Sequence, residues 1–214
     1  IYFDGVATLV FLLPVGRFLQ LRAQRSAADS SELMHALSPS TARVLDPEVA
    51  SCRAWLDLYG IRYTAGPANQ GVADPVTVTT PINGVPFRYV SNSNRRATFF
   101  MDCALARSLV LAAPHLRARG VTEVADYGVY NYRCIGSGTP PDCPNGMSQH
   151  AYAKAIDLAA FTLADGATYT VTTDWVIDPA SEPTCAAATA NDKDAWLHQL
   201  ICELKGDDVW NIAL

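Results

Sequence analysis

Basic side chains never gather in this 214-residue chain: 16 lysines and arginines are scattered among 21 acidic residues, for a formal net charge of −5. Without a basic patch there is no electrostatic footprint for a phosphate backbone, so a nucleic-acid partner is excluded. There is no C-x-x-C and no paired zinc-finger spacing, no HExxH and no G-x-S-x-G, which removes the commonest zinc-finger, zincin and serine-hydrolase signatures. Internal repeats and low-complexity tracts are also missing. No uninterrupted apolar run reaches the roughly 20 residues that a confident membrane helix needs. What remains is an ordinary globular balance, half hydrophobic and 17% charged, long enough to bury a sizeable core in one or two domains.

Six cysteines are present, Cys52, Cys103, Cys134, Cys143, Cys185 and Cys202. Their even number and wide spacing suit disulfides, and a core of this size does not need staples to fold. They therefore point to an oxidising, extracytoplasmic compartment, periplasmic or secreted. Fifteen pairings are open. Cys134 and Cys143 bracket the turn-rich loop IGSGTPPD and are the first expected pair.

Asp46 and Pro47 mark a boundary between an amino-terminal segment, residues 1–46, and a domain over 47–214. In that domain the apolar spacing of EVASCRAWLDLY (48–59) predicts a short helix stopped by Gly60. Alternating stretches in VTVTT and VPFRYV predict short strands. MDCALARSLVLAAPHLRAR (101–119) is the strongest helical pattern, with Pro114 expected to kink or end it early. VTEVADYGVYNY, AIDLAAF and TYTVTTDWVI read as further strands. DKDAWLHQLICELKG reads as an amphipathic helix with acids in its first turn. The expected class is α+β, with small antiparallel sheets flanked by helices.

His150 and Asp157, in GMSQHAYAKAID, pair a nitrogen and an oxygen donor of the kind that zinc takes at about 2.0–2.2 Å. Seven residues rise about 10.5 Å on a helix and extend about 23 Å in a strand, so neither element alone lets the two share an ion. The chain must double back through AYAKA, with Ala151, Ala153 and Ala155 permitting a close approach, to face a loop-borne histidine to a strand-borne aspartate. A histidine followed by an aspartate is common without a metal. His198 on WLHQLICEL is expected to be a solvated or half-buried helix residue, and His115 a helix-end group. His35 falls in the amino-terminal segment.

The amino-terminal residues differ in character. Val6 to Gly16 is apolar, and Phe18, Leu19 and Leu21 extend it, giving a candidate membrane helix or fusion remnant with membrane association through residues 3–21. IYFDGVATLVFLLPVGRFLQLRAQRSA followed by ELMHALSPSTARVL resembles a membrane helix and the adjoining cytoplasmic segment of heavy-metal-transporting P-type ATPases. None of that family's DKTGT, TGE or CPC chemistry is present. Arg17, Arg22 and Arg25 would place the rest of the chain in the cytoplasm, against the cysteines.

SQHAYAKAID resembles the S-x-H-x-x-G-x-A-x-D motif of the zinc D-alanyl-D-alanine peptidases, which share a fold with the hedgehog signalling domain. More closely, Cys52 through Trp210 resembles the bacterial extensin-like carboxy-terminal domain of that superfamily, through CRAWLDLYGI, MDCALARSLVL, GVYNYRC, SQHAYAKAIDLAAF, the DW at Trp175 and the Cys202 helix. The resemblance implies a hedgehog/DD-peptidase-like fold in which His150 and Asp157 ligate Zn2+ and Ser148 positions the loop. It makes Arg133 the group that grips substrate. Ala153 stands where the pattern has glycine, acceptable if its φ is negative. Arg133 precedes Cys134, where the family more often has cysteine first. The family's H-x-D/N-H-F-H strand, source of the third ligand and general base, is not in the sequence, which stops at VWNIAL; a carboxy-terminal truncation is the expectation.

The resulting functional expectation is a zinc-dependent peptidase-like domain acting on peptidoglycan stem peptides or another cell-wall polymer. It would bind zinc weakly and be inactive without a third ligand. The alternatives are a non-catalytic wall-binding or structural module with the same fold, and a membrane-embedded fragment related to metal-transporting ATPases.

Overall fold

A computed structural model describes residues 51–67, 69–177 and 184–210, all within one unit, Glu48–Leu214. The amino-terminal segment, with its candidate membrane stretch and His35, lies outside the described residues. Among the described residues no helix is long and apolar enough to cross a membrane.

Helix α1, Cys52–Leu58, starts where Ser51 Oγ accepts the Ala54 N–H and stops before Gly60, whose φ of +66° suits a residue without a Cβ. Beyond it the chain forms two sheets. Strands β1 (Tyr63–Ala65), β2 (Pro75–Thr79) and β4 (Thr98–Asp102) form an antiparallel sheet in the order β1-β2-β4. Strands β3 (Phe87–Tyr89), β5 (Val121–Gly128), β6 (Asp157–Leu163) and β7 (Thr168–Thr170) form the second, in the order β3-β5-β6-β7. The α+β class with small sheets stands. However, β3 runs parallel to β5, unlike every other pair. The intervening chain includes β4 and a helix, the long crossover that parallel pairing requires.

Helix α2, Cys103–Ala118, is the element around which both sheets pack: it touches β2, β4 and β5 as well as α1 and the last helix. Asp102 caps its start, accepting the Ala104 N–H at 3.0 Å. Its buried stripe includes Leu105, Leu109, Val110 and Leu116; each such leucine is worth roughly 1.5–3 kcal/mol when withdrawn from water. The helix does not end early at Pro114. A proline there cannot donate to the Val110 carbonyl, and Asn83 Nδ2 donates to that oxygen instead, at 3.0 Å. The broken rung is repaired from a turn 31 residues upstream in sequence.

TYTVTTDWVI is a strand only through Thr170; it then winds into the short helix α3, Val171–Asp174. The Asp174 carboxylate takes the Thr170 N–H at 2.8 Å, and that hydrogen bond holds its pKa below the usual carboxylate range. Helix α4, Asp192–Gly206, is capped by Asn191 and buries Leu197, Leu200 and Leu204.

All six cysteines are bridged: Cys52 to Cys103, Cys134 to Cys143, and Cys185 to Cys202, with no free thiol. The expected local pair is among them. Cys52–Cys103 spans 51 residues and ties α1 to α2; in the chain-entropy view such a loop contributes about 4 kcal/mol. Three bridges point to an oxidising, extracytoplasmic environment.

Candidate metal-binding site

Ser148 opens a 3₁₀ turn, Gln149–Tyr152, its Oγ accepting the His150 N–H at 3.3 Å. The turn ends on Ala153, whose φ is +52°. The condition on which alanine would be acceptable there, a negative φ, is not met. Reversal from the turn toward β6 demands the left-handed region, which costs an L-residue about 1–2 kcal/mol. Burial of the Ala153 methyl, fully enclosed in the core, returns about 0.8 kcal/mol. The Asp102 N–H donates to the Ala153 carbonyl at 3.0 Å, and Lys154 N–H to that of Gln149 at 3.0 Å.

The reversal folds the imidazole of His150 over the first residue of β6, with Nε2 3.2 Å from Asp157 Oδ1. His150 Nδ1–H donates to the Val129 carbonyl at 2.8 Å, which commits Nε2 to whatever faces Asp157. Two ligand atoms 3.2 Å apart, each about 2.1 Å from one ion, subtend an angle of about 100° there, close to tetrahedral. The His150 side chain is only 13% exposed and that of Asp157 59%, so the pair opens toward solvent on the aspartate side.

One wall is a backbone ladder. Asn131 N–H donates to His150 O, Ser148 N–H to Arg133 O and Ile135 N–H to Gly146 O, each at 3.0–3.1 Å, and the Cys134–Cys143 bridge closes its far end. Arg133 is thus set opposite Ser148. It is exposed, and among the described residues its guanidinium has no hydrogen bond or acid partner. The loop at Gly71, where φ is +81° and a Cβ would run into the Ala151 carbonyl oxygen, packs against the turn.

On β5, two residues before the partner of Asp157, lies a feature that sequence reading missed. Asp126 on β5 is fully buried and receives Arg96 Nε and Nη2 at 3.1 and 2.6 Å. Burial holds its carboxyl above the usual range despite the guanidinium. Arg96 in turn lies over the Phe99 ring, 4.3 Å from its centroid, and 5.2 Å from that of Tyr89. The signal was an aspartate two residues after Val124, an inward-facing position of an alternating strand. Gly128, opposite Asp157 in the β5–β6 register, leaves open the space beside the half-exposed Tyr89 ring, whose Cε2 is 3.8 Å from where a Cβ would stand.

His198 is neither solvated nor half-buried. It is 4% exposed, stacks on Trp175 at 4.0 Å, and its Nδ1 lies 2.9 Å from Asp194 O and 3.1 Å from Asp194 Oδ1. Burial pushes the Asp194 carboxyl up, but the Val176 and Ala190 N–H groups and His198 outweigh it and leave its pKa lowered. His115 stands in the last turn of α2, its Nδ1 2.7 Å from Glu203 Oε1.

Among the described residues no third histidine, cysteine or carboxylate joins His150 and Asp157. The group formed by Cys52, Asp74 and Cys103 has metal-like spacing, but its sulfurs are spent in a disulfide and Asp74 is paired with Arg53 at 2.6 Å. The His150–Asp157 spacing is compatible with two positions of a tetrahedral ion, and no further donor stands with them among the described residues.

The family model described as Extensin-like protein C-terminus matches residues 50–195, about two thirds of the chain, including Arg133, Ser148, His150 and Asp157. Neither a curated protein nor a solved structure matches it.

Proposed function

This chain belongs to the Extensin-like protein C-terminus family, and from that premise we propose that it is an extracytoplasmic, zinc-dependent peptidase-like domain of the hedgehog/DD-peptidase type, directed at the stem peptides of peptidoglycan. The observation that carries this reading is the His150–Asp157 pair, 3.2 Å apart with Nδ1 anchored on Val129. His150 Nε2 and Asp157 Oδ1 would hold the ion, and Ser148 fixes the turn that presents the imidazole. Zinc, when bound, supplies Lewis acidity toward a carbonyl and acidifies water. Arg133, charged and without an acid partner among the described residues, would take a substrate carboxylate or carbonyl through its fork of donors.

Among the described residues two protein groups face such an ion, against the three that catalytic zinc sites use. A second reading, a wall-binding module that keeps the fold without cleaving, needs no third ligand. Zinc titration of the chain and of His150→Ala and Asp157→Asn tests the first reading. Weak binding that either substitution abolishes supports the pair as ligands; affinity unchanged in both variants overturns it. Incubation with purified peptidoglycan separates the two readings: release of muropeptide fragments identifies a peptidase, and sedimentation with the wall without release identifies the module.

A further inference from the structure

Most arginines among the described residues already have a use. Arg53, Arg88, Arg95, Arg96 and Arg119 each hold a carboxylate at 2.6–2.9 Å, and Arg107 sits over the Trp55 ring at 5.1 Å. Arg133 stands beside the His150 turn. Arg62 and Arg117 are left, exposed and, among the described residues, without an acid partner, and both line the same pocket. A cation in the last turn of a helix is favoured by the helix dipole, which is reason enough for Arg117 alone. Arg62, outside any helix, has no such reason, and a net negative chain that pairs five other arginines with carboxylates has acids to spare.

The pocket is open to solvent, about 280 Å³ in volume, and lined also by Tyr59, Gly60, Ile61, Thr79, Pro81, Asn83 and Gly84. Asn83 and Gly84 both have positive φ, at +43° and +87°, between the bridged residues Ile82 and Val85, a tight reversed turn. The turn is fastened to α2 by Asn83 Nδ2 on the Val110 carbonyl, the acceptor that Pro114 leaves open. Gly84 lies flat against Arg117: a Cβ there would stand 3.1 Å from Nη1. So a proline in mid-helix frees the oxygen that pins the turn that seats the guanidinium. Tyr59, also on the lining, is about half exposed, its ring stacked on Trp55 at 4.0 Å.

We propose that this pocket is a second binding site, for a sugar unit bearing a carboxylate or phosphate, with Arg62 and Arg117 taking the anionic group and Tyr59 the apolar face of the ring. Guanidinium forks match both oxyanions, and an exposed tyrosine offers a flat apolar face with a polar tip. A cavity of this size, below the usual range for drug-sized ligands, suits one ring. The 15 residues of α2 between Asp102, bonded to the His150 turn, and Arg117 rise about 22 Å, so the pocket is separate from the candidate metal site. It would hold an anionic wall polysaccharide whether or not the other site cleaves anything.

The test is a titration of the whole chain, followed by NMR at the Trp55 indole, with trigalacturonate, glucose phosphate and neutral maltotriose. The expected result is saturable binding of an anionic sugar, weakened at least tenfold by Arg62→Gln or Arg117→Gln and by added salt, with no response to maltotriose. Binding of trigalacturonate alone assigns a carboxylated polymer, and binding of glucose phosphate alone a phosphorylated one. His150→Ala should leave the titration unchanged, which separates this site from the proposed zinc site. Tyr59→Ala should weaken the sugar ligands more than inorganic phosphate. Failure of both anionic sugars to bind, equal binding of maltotriose, or affinity that survives both arginine substitutions in folded protein overturns the proposal.

Discussion

Replacing Arg96 by methionine removes the charge that faces Asp126 while leaving an apolar side chain in its place; the guanidinium's contact with the Phe99 ring goes with it. Asp126 is fully buried and takes two hydrogen bonds from that guanidinium. Breaking a buried pair by removing one partner costs about 3–5 kcal/mol. Arg96 is itself 24% exposed, so water reaches the vacated place and the lower end applies, about 3 kcal/mol. For a domain of this size that is a fall in Tm of about 6–12 °C. The deficit also carries a pH signature. Burial already holds the Asp126 pKa above its unfolded value, and losing the guanidinium raises it further. A carboxyl raised in the folded state costs nothing where both states are protonated, and its penalty grows as pH rises from the unfolded pKa toward the folded one. Urea denaturation of Arg96→Met should therefore show a small deficit in acid and the full deficit at neutral pH, and Arg96→Met/Asp126→Leu should recover most of it. A deficit equal at both pH values, or below about 1 kcal/mol at neutral pH, would refute this account of the pair.

Two positive-φ positions should answer oppositely to substitution. Ala153→Gly exchanges relief of left-handed strain for loss of a buried methyl, about 1 kcal/mol each way, and should leave Tm nearly unchanged. Gly71→Ala drives a Cβ into the Ala151 carbonyl at a φ of +81°, and should cost at least about 2 kcal/mol in urea and weaken zinc binding with it. Asn83→Gly keeps the turn's φ but orphans the Val110 carbonyl, costing about 1–3 kcal/mol; in a Pro114→Ala background, where the helix N–H returns, the same change should cost almost nothing, and an equal cost in both backgrounds would refute the repair. The Glu203 pKa is held down by hydrogen bonds from His115 and Arg119. Its stabilisation is present above the unfolded pKa and lost as pH falls through the folded one, so Glu203→Gln should lower stability at neutral pH and flatten the acid limb of a stability–pH curve.

Local features were the legible ones in the sequence. The two long helices followed from 3.6-residue periodicity and their caps, and the Cys134–Cys143 bridge from the turn-rich loop between its ends. The need for a reversal between His150 and Asp157 followed from bond lengths alone, and the structure places the reversal at Ala153. The misreadings each turned on a partner far along the chain. Pro114 reads as a helix breaker because nothing nearby in sequence can supply the missing donor, whereas Asn83 does. The β3–β5 pairing is parallel because β4 and α2 intervene, and alternation carries no strand direction. His198 reads as a surface residue on a helix of mixed polarity; Trp175 covers it from a segment whose own pattern gave no hint of stacking. Asp126 was passed over because a charged residue in an alternating strand reads as outward, and only Arg96, 30 residues upstream, makes its burial tolerable.

The two halves of the candidate site are referenced to one frame. Val129, whose carbonyl orients His150, is the first residue after β5, and Asp157 stands opposite Gly128 at the start of β6, so both anchors lie at the same end of the β5–β6 pairing. The other sheet supports the turn only from behind, through the Asp102 N–H on the Ala153 carbonyl, aided by the Gly71 loop. Small shifts between the sheets would then load the turn while leaving the His150–Asp157 spacing to the β5–β6 pairing. That pairing is irregular where it matters, with register shifts between Ala125 and Asp126 and between Asp126 and Gly128. A bulge re-aims the side chains around it, and here it lies between the buried Asp126–Arg96 pair and the strand position that presents Asp157. The buried charge therefore sits beside a register shift on the strand that pairs with Asp157, where a change in strand geometry would be felt as a change in the His150–Asp157 spacing.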